Sequence, residues 1–282
     1  MMKRYLALVF VVTLTLVGCG GSPTPDAAAT NTPLPISTSL PINTPEEGGG
    51  RIVFLHHSTG GVIWEGGVAE WFDNYNSAHG TDYQIEERAY PNDPYPWANY
   101  PYDYWNLWVN HAGERPYEKQ DTLEMLTQDY NVVVWKHCFP VSEVEADTGA
   151  PDVESEVKTI ENYQAQYEAL KEKMRQFPDT TFIIWTGAAQ VAGATNEANA
   201  ERAREFFEWV KSSWDEPGDK IYLWDFRQLE TEGGLYLLDA YAASSTDSHP
   251  NESFAARVAP FFAQRIVDVV EGRGDTGSLT GQ

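Results

Sequence analysis

The chain has 282 residues, 42% of them apolar and 13% aromatic, and carries a formal charge of −23 at pH 7. That is enough apolar material for one domain of ordinary size to bury a full core. An acidic balance this large repels nucleic acid and polyanionic substrates, so neither is expected as a partner.

The first residues read as an address. Lys3-Arg4 is a basic start, Leu6 to Val17 an apolar run, and Leu16-Val-Gly-Cys19 closes it. The run is shorter than the ~20 residues a spanning helix needs, so residues 1–18 are expected to be a signal peptide. The Leu-Val-Gly-Cys ending resembles a bacterial lipobox, which implies lipidation of Cys19 and a chain held on the outer face of a membrane by lipid alone. Cys138 is the only other cysteine, so an intramolecular disulfide in the mature chain is excluded. Residues 19–50 are rich in Gly, Ser, Thr, Pro, Ala and Asn and read as a flexible tether.

The folded domain is expected over 51–271. Ile52 to Leu55 is a short β-branched apolar run, read as a buried strand, followed at once by His56-His57-Ser58-Thr59-Gly60-Gly61. A helical pattern follows on Ile63, Trp64, Val68, Trp71, Phe72 and Tyr75. Ser58 therefore stands at the carboxyl end of a buried strand, where open α/β sheets place their ligands. A helix cap is the plainer role for the same residue. Tyr83 to Ala89 alternates and reads as an edge strand.

Tyr90 to Trp108 is dense in proline and aromatic rings and reads as a long loop without a regular helix. Flat rings beside Asn and Asp suit a sugar surface, and Tyr95, Trp97, Tyr102 and Trp105 are the candidate substrate-binding residues. Filling a gap in the core is the alternative for about half of these rings. Asn131 to Trp135 is a third strand ending in Lys136-His-Cys-Phe139, and an acidic loop follows that matches no calcium-binding spacing. An amphipathic helix over Ile160–Phe177 is stopped by Pro178. Thr181–Trp185 is a fourth strand, then comes a helix capped by Asn196, and Lys220–Trp224 is a fifth strand. The last helix runs from Phe254 to Val270 with a kink or restart expected near Pro260, and residues 272–282 read as a disordered tail. Strands alternating with helices give a three-layer α/β/α sandwich on a five-stranded parallel, flavodoxin-like sheet, in the order 2-1-3-4-5.

Thr246-Asp-Ser-His-Pro-Asn251 lies between the fifth strand and the last helix. A serine hydroxyl becomes a useful nucleophile when an imidazole takes its proton and a carboxylate fixes that imidazole. Ser58, Asp247 and His249 supply these types in that chain order. On the His57-Ser58-Thr59 and Asp247–Asn251 segments, the chain resembles the SGNH (GDSL-like) hydrolase superfamily over about residues 51–270. The resemblance implies a serine esterase or deacetylase with Ser58 as nucleophile, His249 as general base and Asp247 as orienting carboxylate, and no cofactor. The chain departs from the superfamily pattern in three places. His56-His57 replaces Gly-Asp before the serine, and Thr246 stands where the aspartate is usual. Lys136–Phe139 replaces Gly-x-Asn-Asp, so the usual oxyanion asparagine is missing. Gly60, Gly61, Asn92 and His137 are the candidate replacements. The substrate expected is a small-molecule or polysaccharide ester, and the oligomeric state a monomer. Two other readings remain open: a catalytically dead domain that binds glycans, and a metal site built from His56, His57, His137 and acidic groups.

Overall fold

The computed structural model describes residues 49–282. The signal peptide, Cys19 and nearly all of the tether lie outside the described residues. The elements in chain order are β1 (Gly49–His56), α1 (Thr59–Glu65), α2 (Val68–His79), β2 (Asp82–Ala89), α3 (Pro101–Trp105), α4 (Leu123–Asp129), β3 (Val132–Trp135), α5 (Ile160–Met174), β4 (Thr181–Trp185), α6 (Glu197–Trp209), β5 (Ile221–Trp224), α7 (Phe226–Thr231), β6 (Ala242–Ser244), β7 (Asp247–Pro250) and α8 (Glu252–Asp268). β1 to β5 form one parallel sheet in the order β2-β1-β3-β4-β5, as expected. β6 and β7 form a separate antiparallel pair.

The strand residues sort to the two faces with the period of two that a pleated strand imposes. Val53, Leu55, Val133, Trp135, Phe182, Ile184, Ile221 and Leu223 point into the core layer under α3, α5 and α6. Ile52, Phe54, Val132, Val134, Ile183, Trp185 and Trp224 point into the opposite layer, against α1, α2 and α8. With both faces covered, the central strands can be apolar throughout, as β3 is.

Five expectations change, four of them local. The domain begins before Arg51, because Gly49 and Gly50 already pair with Asp82 and Tyr83. The single helix expected after β1 is two helices, broken at Gly66-Gly67. A Cβ on Gly66 would sit 2.6 Å from the Ala255 carbonyl oxygen, and Gly67 has φ 111°, so both positions require glycine. α8 continues through Pro260 without a restart, and Ala256, whose carbonyl loses its donor there, lies on the exposed side, open to solvent. Residues 272–282 are packed: the Trp224 indole N–H donates to the Thr280 carbonyl at 3.0 Å, and the Asp225 N–H to that of Leu279 at 2.8 Å. A buried indole N–H needs an acceptor, and the tail supplies it.

The largest difference is in the aromatic stretch. Pro101 sits at the first position of α3, where its missing N–H costs nothing. Its helix then winds Tyr104, Trp105 and, one turn on, Trp108 down onto the sheet. The Asp103 carboxylate closes the turn before it, accepting from the N–H groups of Ala98 at 2.9 Å and Asn99 at 2.5 Å. What reads as a long loop is therefore a short one followed by a helix.

Candidate active site

The chain leaves β1 through His56 and His57 and makes its turn at Ser58, whose φ of 49° and ψ of −106° lie in a region that favours glycine. Non-glycine residues held there cluster at functional sites. The packing around the turn explains why it persists. His56 is buried and its Nε2 meets Glu87 Oε2 at 2.7 Å, while burial and nearby Lys136 push its pKa down to about 3, so the ring is neutral. Gly60 lies against that ring: a Cβ there would come within 2.5 Å of the His56 Cβ. His57 turns the other way, bonds through Nε2 to the Pro91 carbonyl, and stacks on Trp97 with centroids 3.8 Å apart and planes 10° off parallel. Beneath the turn, the Lys136 ammonium donates to the His57 carbonyl at 3.1 Å. Ser58 itself is left exposed.

The second half of the site is the β6–β7 hairpin. Ser248 ties it to the segment after β4 by accepting from the Val191 N–H at 3.1 Å. Asn251 ties it to α8 by capping that helix at the Phe254 N–H, while its side-chain amide donates to the Ala240 and Ala242 carbonyls. Between these two anchors, His249 is held by Asp247. Its Nδ1 meets Asp247 Oδ1 at 2.6 Å, and its backbone N–H reaches the same oxygen at 3.0 Å. Those two bonds hold the Asp247 carboxyl below its ordinary pKa. The imidazole packs T-shaped against the Phe139 ring, with ring centroids 5.0 Å apart. Its Nε2 accepts from the Ser58 hydroxyl.

Ser58, His249 and Asp247 are thus brought into one hydrogen-bonded chain although 191 residues separate the first two. The order hydroxyl, imidazole, carboxylate is the arrangement that activates a serine. The carboxylate on Nδ1 is Asp247 and not Asp225, which is occupied by Thr186 and Lys211 while capping α7.

The other site candidates fall apart more. His137 is fully buried, bonded through Nε2 to the Tyr167 hydroxyl at 2.8 Å, and burial drives its pKa well down, so it is no oxyanion donor. Asn92 is clamped by Gln120, which takes its N–H at 2.8 Å and donates to its carbonyl at 2.7 Å; its side-chain oxygen accepts the Asp93 N–H. The Gly60 N–H is spent on the His57 carbonyl, whereas no acceptor for the Ser58 or Gly61 N–H occurs among the described residues. Tyr95 and Trp105, expected to bind substrate, are 3% and 6% exposed and belong to the core. Trp97 and Tyr102 are half-buried, and one face of Trp97 is covered by His57. His56, His57 and His137 point to three different partners, and no group of three or more His, Cys, Asp or Glu among the described residues is placed to hold a metal ion.

Two contributors carried no role in the sequence reading. Lys136 and Phe139 are the two ends of the segment that leaves the carboxyl end of β3, and a lysine at a buried strand end is the available signal. A cavity of about 790 Å³ lies to one side, lined by Glu143, Glu145, Lys158, Gln190, Asn196 and Asn199 among others, but not by the three chain members.

No protein-family model matches the chain, and no curated protein matches it. Among solved structures, a gut microbial diltiazem-metabolizing enzyme aligns at TM-score 0.46 and 12% identity, over 83% of this chain and 49% of that one. A carbohydrate esterase family 2 enzyme with a carbohydrate-binding domain, from Corynascus thermopiles (Myceliophthora fergusii), aligns at TM-score 0.42 and 12% identity over 82% and 69%. A carbohydrate esterase with divergent catalytic and non-catalytic binding functions aligns at 0.35 and 12% over 77% and 64%. The chain spans about half the length of the first of these.

Proposed function

We propose that the chain is a serine ester hydrolase that removes a small acyl group, with a carbohydrate as the favoured carrier of that group. The observation that carries this reading is the Ser58–His249–Asp247 chain, closed on a serine held at a strained φ of 49°.

The steps follow from the geometry. Ser58 Oγ attacks the acyl carbon and gives its proton to His249 Nε2. Asp247 holds the Nδ1–H and stabilises the imidazolium that forms. The carbonyl oxygen gathers negative charge, and the Ser58 and Gly61 N–H groups, which have no acceptor among the described residues, are the donors for it. Collapse expels the alkoxide, which takes the proton from His249, and leaves the acyl group on Ser58. His249 then deprotonates a water that attacks the acyl-enzyme, releasing the acid and restoring the serine.

The carbohydrate half rests on Trp97, which is partly open and stacks on His57 beside the turn; Tyr102 is partly open too but packs against Tyr100 and Trp105, and Tyr95 and Trp105 no longer contribute. The experiment is turnover of small aryl acetates and acetylated sugars by wild type and Ser58→Ala. Activity on both, lost in the variant, is expected. Glycan binding by a wild type silent on every ester would favour the reading as a dead, sugar-binding domain.

A further inference from the structure

Lys136 is left without a task by the hydrolytic steps. It follows β3, is 1% exposed, and carries its ammonium into the interior with no carboxylate bonded to it among the described residues. Its contacts are the His57 carbonyl oxygen at 3.1 Å and Cys138 Sγ at 3.4 Å, and the Cys138 thiol lies 3.6 Å from the same carbonyl. Leaving a buried ammonium without an ion pair is costly, and a methionine of similar length would fill the space without that cost. A residue kept under such a penalty invites a functional account.

The His57 carbonyl is one end of a peptide unit whose other end is the Ser58 N–H. A cationic donor on the carbonyl oxygen draws electron density through that unit and makes its N–H a stronger donor, as in any chain of polarised hydrogen bonds. The same grip fixes the plane of the peptide just before the residue whose φ is 49°. The Ser58 N–H points to no acceptor among the described residues.

On the serine hydrolase reading, we infer that Lys136 is a positioning residue that tightens the oxyanion site from beneath. It holds the His57–Ser58 peptide in its strained orientation and polarises the Ser58 N–H toward the developing oxyanion. Substrate never touches it, so its effect belongs to the transition state and not to binding of the ester.

The test compares Lys136→Met and Lys136→Gln with wild type and Ser58→Ala on an aryl acetate. In both lysine variants kcat is expected to fall by about 10- to 100-fold, a fraction of what a whole oxyanion donor contributes. KM should stay within about twofold, and Tm should not fall, since a buried charge has been removed. In Lys136→Ala, ethylammonium added to the assay should restore part of the lost kcat, and ethanol should not. Folded variants with wild-type kcat would overturn the inference, as would a loss confined to KM or rescue by ethanol as well as by the amine. Failure of both variants to fold would overturn it too, because the lysine would then be structural. A wild type with no Ser58-dependent turnover is a separate result: it removes the hydrolase reading, and this inference falls with it.

Discussion

At the scale of single residues, Ser58 carries two burdens: the hydroxyl of the proposed nucleophile and a backbone conformation that suits glycine. The two can be separated. Ser58→Gly and Ser58→Ala both remove the hydroxyl, but only glycine relieves a strain of about 1–3 kcal/mol. Ser58→Gly is therefore expected to unfold at higher denaturant than Ser58→Ala by about 1 kcal/mol or more, with both inactive; equal midpoints would show that the turn is unstrained. Removing Ser58 or His249 should each cost at least about 10³-fold in kcat, and the double variant little more, because the members act as a unit. Asp247→Asn should cost roughly tenfold less than either. These three residues were legible in the sequence because their chemistry is carried by residue type and chain order. The candidate oxyanion donors were legible only as a set of four, with Gly61 among them. The open ones are backbone N–H groups, which every residue has, and only the folded turn shows that those of Ser58 and Gly61 are free while that of Gly60 is spent.

Among elements, the aromatic stretch shows what composition conceals. The prolines of this stretch argue against a regular helix, yet Pro101 begins α3, and the position of a proline within a turn decides which of the two it does. The rings went to the core because a helix over the sheet face buries them, which residue type alone does not reveal. α7 offers a test of its own. It carries Glu230, 1% exposed, whose Oε1 accepts the Ala189 N–H at 2.7 Å and whose pKa burial raises to about 8. The folded state thus keeps a proton that the unfolded chain, near the ordinary value of 4.5, gives up. Its contribution is fully present below pH 4.5 and is lost as pH rises toward 8. Glu230→Gln is expected to flatten the fall of Tm between pH 5 and 8 relative to wild type; parallel curves would mean that Glu230 is already ionised in the fold.

For the molecule as a whole, the five strands, their order and the three layers were readable, since a period of two in the strands and apolar helix faces dictate them. The packed tail was not, because what holds it is the backbone carbonyls of Leu279 and Thr280, given to Asp225 and Trp224, and a lone leucine among Gly, Ser and Thr makes no apolar pattern. The address rests on residues outside those described. In a lipoprotein-competent host, wild type is expected to partition into detergent and Cys19→Ala to stay in the aqueous phase; equal partitioning of the two would refute lipidation. The central claim is that Ser58 is a nucleophile activated by His249, and covalent trapping reads it without knowledge of the substrate. Incubated with an alkyl fluorophosphonate, wild type should gain one phosphonyl group per chain, located on Ser58 by peptide mass spectrometry, and His249→Ala should gain almost none in the same time. Wild type left unlabelled, a label on another residue, or equal labelling of His249→Ala would contradict it.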